Sequence, residues 1–203
     1  MKRDSEKIAT ALLDSTVLVI ANEGFTNAST RRIATACDLP DAYIYQYFQS
    51  KDDLIAKAFS REDTRFAYEV KRKNEQLTCL PVDIESKRHL LFKYVSDYFI
   101  TNGDVCKFYL QYYHSPYFMK YSEDEHGALW EPVTERVGET LHFGKDTSDI
   151  LHNSFNMVLM LVEYAIRNNL KRQESGDPTD DLVQRFIRPW IERDLLIHGT
   201  ETL

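Results

Sequence analysis

The sequence predicts an all-α protein of about nine helices. Three observations carry that prediction. Only seven glycines and six prolines punctuate the 203 residues, and long stretches lack any turn signal. Apolar residues make up 43 % of the chain, ample for a core and too many for a disordered sequence. They recur at three- and four-residue spacing, which is the period of a helix with one buried face.

The elements follow in order. Residues 4–22 have Ile8, Ala11, Leu12, Leu18 and Val19 near helical spacing. Asn22-Glu23-Gly24 ends that helix, glycine suiting a left-handed C-terminal cap. After a turn at 25–28, Ser29 is placed to cap a second, short helix to about Ala36, with Ile33 and Ala34 inward. Asp38-Leu39-Pro40 breaks the chain, and proline is favoured at a first helical position. A third short helix then runs to about Tyr47. Ser50-Lys51-Asp52-Asp53 has the pattern of a capping box. It opens a long fourth helix to about residue 73, carrying Leu54, Ile55, Ala58, Phe59 and Phe66 inward. Two short helices joined by a tight turn and braced by longer ones describe a helix-turn-helix unit. The expected domains are therefore 1–50 and 51–203, linked by the fourth helix.

The second part reads as further helices. Pro81 and Asp83 bracket the start of an amphipathic helix over 84–101. Residues 104–121 are densely aromatic, with Phe108, Tyr109, Tyr112, Tyr113, Tyr117, Phe118 and Tyr121. Residues 122–127 read as a loop or a helix start, and 129–142 as a helix. A long helix over 147–171 places Leu151, Phe155, Val158, Val162 and Ile166 on one stripe. A last helix, about 179–197, carries Leu182, Phe186, Ile187, Trp190, Ile191 and Leu195, and Pro189 inside it predicts a kink or break.

Composition bounds the function. Three cysteines without motif spacing, Cys37, Cys79 and Cys106, read as free thiols in a reducing compartment. No signal-peptide pattern follows the N-terminus, and no stretch reaches the roughly 18–20 apolar residues of a membrane span. The expected location is the cytoplasm, with no membrane partner. A net charge of −7 argues against general nucleic-acid coating, although a local binding face depends on the local field. Residues 1–60 hold seven Lys/Arg and eight Asp/Glu, so the N-terminal part is the less acidic one without being basic.

Catalytic patterns fail on inspection. Gly138 and Gly144, followed by Lys145 and Asp146, imitate a phosphate loop, but five residues separate the glycines where the motif has four, and aspartate replaces the hydroxyl residue. The six histidines are scattered with no His-x-x-x-His pair, so no metal site is expected. No nucleophile elbow occurs. The acidic run Glu123-Asp124-Glu125 is an ordinary solvated one. No enzyme activity and no cofactor are expected.

The stretch Asp38–Leu54 raises a question of period. Tyr43, Tyr45 and Tyr47 stand at every second position, whereas a helix buries every third or fourth. Ile44 and Phe48, four apart, form an inward stripe. Tyr43 and Tyr47 share one side, and Tyr45 lies about 200° around the turn from Tyr43. At least one ring must therefore point away from the core.

The run from Gly24 to Ala34, Gly-Phe-Thr-Asn-Ala-Ser-Thr-Arg-Arg-Ile-Ala, then Leu39, then Ile44-Tyr-Gln-Tyr-Phe-Gln-Ser-Lys-Asp-Asp-Leu54, resembles the N-terminal domain of the tetracycline-repressor (TetR) family. Many spacings match at once. The resemblance implies a helix-turn-helix DNA-binding domain and, for the remaining chain, a helical ligand-binding and dimerisation domain. It places Tyr45 and Lys51 against DNA phosphates and makes Thr30 and Arg31, at the start of the second helix, further backbone-contacting positions. Such contacts fix register without reading sequence. Tyr43 is placed for base edges or thymine methyls. Arg32 is either ion-paired or solvated. Departures from the family pattern lie at Pro40, where a capping hydroxyl is common, at Asp41, often polar or basic, and at Ala42, often glycine. A carboxylate at 41 repels phosphate unless it accepts from a cytosine amino group. The candidate DNA-facing set thus comprises Thr30, Arg31, Asp41, Ala42, Tyr43, Tyr45 and Lys51.

The implied partners are an operator duplex, a second copy of the chain and an unidentified small-molecule effector. Two-fold dimers place two reading helices about 34–36 Å apart on a palindrome. The helices over 147–171 and 179–197 supply the expected interface, with Leu151, Phe155, Val158, Val162, Phe186 and Trp190 as its candidates; the alternative is that they are core helices of the monomer. Tyr98, Tyr109, Tyr113 and Trp130 are candidates for lining an effector pocket, against the alternative of a tyrosine-rich core. The expected function is a ligand-responsive transcriptional regulator, a repressor released from its operator by a small molecule. The alternative is a helical small-molecule sensor or binding protein whose DNA-binding face is weakened or lost.

Overall fold

The structure, a computed structural model, describes residues 2–142 together with 156, 159 and 160. Among the described residues there are eight α-helices and one 3-10 turn, and no strand. The helices are α1 (Lys2–Glu23), α2 (Thr30–Thr35), α3 (Ile44–Tyr47), α4 (Lys51–Thr78), α5 (Ile84–Thr101), α6 (Gly103–Tyr113), α7 (Pro116–Tyr121) and α8 (Glu123–Leu141); the 3-10 turn spans Asp41–Tyr43. The all-α expectation holds. Apart from the helical residues 156, 159 and 160, the helices expected over 147–171 and 179–197 lie outside the described residues. So do Pro189 and the six interface candidates Leu151, Phe155, Val158, Val162, Phe186 and Trp190.

Packing divides the chain into two compact units. One comprises Met1–Arg65 and Asp104–Gly127; the other comprises Phe66–Gly103 and the described chain from Ala128 on. The first 15 residues of α4 therefore belong to the first unit and the rest to the second.

The first unit has a core of Leu12 and Ile20 from α1, Ile33 and Ala34 from α2, Ile44 from α3, and Leu54, Ile55 and Phe59 from α4. Phe108, Tyr109 and Tyr112 of α6 and Phe118 of α7 join it. Phe59 stacks on Tyr112 at 4.3 Å, meets Tyr109 at 4.9 Å, and takes the edge of Phe118 at 5.7 Å. Aromatic pairs of this kind add about 0.5–1.5 kcal/mol each beyond the area they bury. The sequence shows the aromatics of 104–121 as one block. The chain in fact breaks between α6 and α7, where Ser115 is extended and Pro116 opens the new helix without needing an N–H partner.

Two other boundaries differ from expectation, and a third, open between a loop and a helix start, takes the second reading. The third helix is two pieces: Pro40 stands ahead of it with ψ 141°, and Tyr43 N donates to the Pro40 carbonyl at 3.1 Å, a three-residue closure that gives a 3-10 turn before α3. Helix α4 continues to Thr78 because Val70 and Leu77 keep the buried stripe going. The acidic run at 123–125 is the first turn of α8, where negative side chains favour the helix dipole. Pro132 lies inside α8 on its exposed side, leaving one carbonyl without its usual donor.

The second unit is built on Phe66, Ala67, Val70 and Leu77 of α4, Leu91, Phe92, Val95 and Phe99 of α5, and Val133, Val137 and Leu141 of α8. Asp83 caps α5, accepting from Ser86 N at 2.8 Å. Asn74 donates to the Arg136 carbonyl and to Thr140 Oγ1, at 3.2 and 3.1 Å. Arg88 closes the C-terminus of α8, donating to the Leu141 carbonyl at 3.0 and 2.8 Å. A cation suits a helix C-terminus, and partial burial pulls the guanidinium below its ordinary value.

Candidate nucleic-acid interface

The turn into α2 is made by residues whose chemistry suits it. Gly24 adopts φ +78°, and its N–H meets the Ile20 carbonyl at 2.9 Å. A side chain there would strain the left-handed backbone. Ser29 is extended and its hydroxyl accepts from Arg32 N at 3.1 Å, the cap that starts α2. Arg32 then folds back onto Glu23, its Nε donating to both carboxylate oxygens at 2.8 and 2.9 Å. The hydrogen bond from Arg32 holds the Glu23 carboxyl below the usual range. Of the two readings open for Arg32, the structure takes the ion pair.

The turn out of α2 is a Schellman motif. Asp38 N donates to the Thr35 carbonyl at 3.2 Å and Leu39 N to the Ala34 carbonyl at 3.0 Å. Asp38 is the left-handed residue, φ 56°, a conformation aspartate tolerates better than most side chains. The chain then enters Pro40, the 3-10 turn and α3.

On this two-part element Ile44 is completely buried and Phe48 nearly so, Tyr43 and Tyr47 are half-buried, and Tyr45 is 62 % exposed. The every-second-residue tyrosines therefore face different surroundings, as the spacing requires. Asp41 and Ala42 are exposed at its beginning. Arg31 is exposed and Thr30 half-buried at the start of α2. Lys51 is half-buried at the first position of α4.

Helix α4 starts on the expected capping box, shifted by one residue. Ser50 Oγ accepts from Asp53 N at 3.1 Å, while Asp53 Oδ2 accepts from Gln49 N at 2.8 Å rather than from the cap residue itself. Asp53 also holds Lys57 at 3.1 Å. Its neighbour Asp52 accepts from the Tyr121 hydroxyl at 2.8 Å. Phe25 stacks on Tyr117 at 5.2 Å, and burial, then Asp52, raises the Tyr117 phenol above its ordinary value. Helix α7 thus braces both the turn before α2 and the first turn of α4.

Sequence reading missed the polar half of this brace. Asp63, 2 % exposed, accepts from the Tyr109 hydroxyl at 2.6 Å and meets His126 Nδ1 at 2.8 Å. Glu62, equally buried, is held by Arg61 at 2.7 Å and Arg65 at 3.1 Å. The available signal was a carboxylate pair between Phe59 and Phe66 on the inward stripe of α4. Charges in such a place require partners.

The four pocket candidates fall into two pairs. Tyr109 and Tyr113 belong to the first unit, stacked at 6.2 Å. Tyr98 and Trp130 belong to the second, each with its ring 5.2 Å from Phe66. Neither unit contains all four. Among the described residues no three His, Cys, Asp or Glu side chains gather as a metal site, and no helix is long and apolar enough to cross a membrane.

The arrangement is that of a helix-turn-helix unit in an all-α chain: two short helices at a tight turn, the second presenting an outward face. Residues 12–58 match the family described as "Bacterial regulatory proteins, tetR family". That match spans the N-terminal helices alone, and the chain as a whole takes the fold of the solved TetR-family structures it resembles. A TetR-family transcription regulator from Marinobacter aquaeolei VT8 superposes with TM-score 0.73 at 15 % identity, over 91 % of this chain and 95 % of that one. The fatty acid degradation regulator FadR of Bacillus halodurans does so with TM-score 0.68 at 21 % identity, over 96 % of each chain. The FadR regulator of Bacillus subtilis, solved in complex with stearoyl-CoA, gives TM-score 0.64 at 17 % identity over 94 % and 98 %. No curated protein matches the sequence.

Proposed function

We propose that this protein is a ligand-responsive transcriptional repressor that binds a palindromic operator as a homodimer and is released by a small molecule. One observation carries the DNA-binding part: Tyr45 stands 62 % exposed between buried Ile44 and half-buried Tyr47, on the second short helix of the segment that matches the family. A fold does not need a phenol there. A phenol that donates to a phosphate oxygen while its ring lies on sugar uses that position. Lys51 adds a point charge, Thr30 and Arg31 approach the adjacent backbone, and Tyr43 meets base edges.

In this reading residues 1–50 form the DNA-binding domain and 51–203 the effector and dimer domain of a cytoplasmic protein. The residues from Leu151 to Trp190 named above make the two-fold contact. Tyr98 and Trp130, around Phe66, line the effector site; Tyr109 and Tyr113 act from the brace beneath the reading helix. Stearoyl-CoA, which the Bacillus subtilis neighbour holds, is the first effector to test. The effector needs only different affinity for the two operator-binding states.

Selection of bound duplexes from random DNA, followed by titration between 50 and 200 mM salt, tests the reading. A palindrome with half-sites one DNA turn or somewhat more apart is expected, with affinity falling steeply across that salt range. Tyr45→Ala and Lys51→Ala should weaken all sequences alike, and Tyr43→Ala should relax specificity. A second reading, a sensor that no longer binds DNA, draws on the exposed Asp41 carboxylate and on Arg32 being committed to Glu23. It expects ligand binding with no selected duplex at any salt.

A further inference from the structure

We infer that Asp41 is a specificity-determining residue that reads a cytosine in each half-site by accepting a hydrogen bond from its N4 amino group. The inference rests on the DNA-binding reading above and deepens it.

The carboxylates around the reading element have structural employment. Glu23 holds Arg32, Asp52 accepts from Tyr121, and Asp53 caps α4 and holds Lys57. Asp38 sits where the backbone is left-handed, which accounts for its residue type. Asp41 has none of these duties. It is exposed, and its carboxylate makes no hydrogen bond or ion pair among the described residues. The 3-10 turn it opens runs into α3, seven residues in all, and so short a stretch has only a weak dipole to favour an acid there. The fold gives only that weak reason for an aspartate at 41.

Its surroundings supply a stronger one. Asp41 lies four residues before Tyr45, exposed like it, at the beginning of the same two-part element. Facing phosphates, an unpaired carboxylate costs affinity; facing base edges it finds amino donors. The major groove offers two, adenine N6 and cytosine N4. Adenine presents N7, an acceptor, beside its amino group, and that lone pair repels the second carboxylate oxygen. Cytosine presents no acceptor beside N4. Aspartate is the shortest carboxylate and must come close. Pro40 before it and Ala42 after it carry no long side chain to hold the turn off the groove floor.

The test is duplex selection with the full-length wild type, Asp41→Asn and Asp41→Ala, followed by competition between single-base operator variants. The wild type should enrich C·G at one fixed position per half-site, with about tenfold to hundredfold preference over the other pairs. Asp41→Asn should shift that position to adenine, which offers the N6 and N7 pair an amide recognises. Asp41→Ala should lose the preference there and keep the rest of the motif. If all three proteins select one unchanged motif, the inference is overturned while the regulator reading stands. It is overturned as well if Asp41→Ala only tightens binding to every duplex, since the carboxylate is then merely repulsive. If the wild type selects no DNA, the regulator reading fails and takes this inference with it.

Discussion

Helix α4 carries three tyrosine–carboxylate pairs, and the two at Asp63 and Glu69 differ in everything but their chemistry. In the first unit Tyr109 donates to Asp63 and both are buried, with His126 on the other carboxylate oxygen. In the second unit Tyr94 donates to Glu69, which Arg72 Nη2 also reaches at 2.6 Å, and the Glu69 side chain is 28 % exposed. Water can replace the partners of Glu69. Nothing in a packed aromatic core replaces those of Asp63. The same bond is therefore a small surface contribution in one unit and a structural requirement in the other.

Three measurements sharpen or break that contrast. Asp63→Ala should have the largest effect, a loss of about 3 kcal/mol, because it removes a carboxylate that the buried Tyr109 hydroxyl and the part-buried His126 both bond. Urea unfolding midpoints of wild type and variant measure it, and Asp63→Asn should recover part of the loss. An unchanged midpoint would mean that water reaches the site.

The next effect belongs to alkaline pH. Burial pushes the Tyr112 phenol up to about 12, while its hydroxyl pairs with Ser122 at 2.8 Å. The folded state then keeps a proton that the unfolded chain gives up near pH 10. Stability should fall as pH rises from about 10 to 12, by on the order of 2 kcal/mol for this group. Tyr112→Phe should flatten that limb at the cost of the Ser122 bond. Burial raises Tyr113 and Tyr117 in the same direction, so part of the slope remains.

The smallest effect is at Glu69. Its carboxyl lies below the ordinary range, chiefly through the Tyr94 hydroxyl and then Arg72. A depressed carboxylate contributes stability above its unfolded value and loses it as pH falls through the folded one. Glu69→Gln should cost much less than Asp63→Asn at neutral pH, and the difference from wild type should vanish in acid. A loss at Glu69 equal to that at Asp63 would end the distinction between the two units.

The local rules of the reading element were written in the chain itself. Gly24, Ser29 and the box at Ser50 each fix a helix end through a bond to backbone a few residues away. Ile33, Ala34, Ile44, Leu54, Ile55 and Phe59 are buried as their spacing demands. The outward turn of Tyr45 follows from the same geometry. Tertiary structure alone decided what the aromatic block does. Phe108 to Tyr121 reads as one dense cluster. Its place beside Phe25 and Phe59, and its hydroxyl partners Asp63, Ser122 and Asp52, depend on contacts 10 to 69 residues apart in sequence. Periodicity says which side of a helix is buried. It does not say which helix buries it, because that choice is made by long-range packing and by the search of buried polar groups for partners.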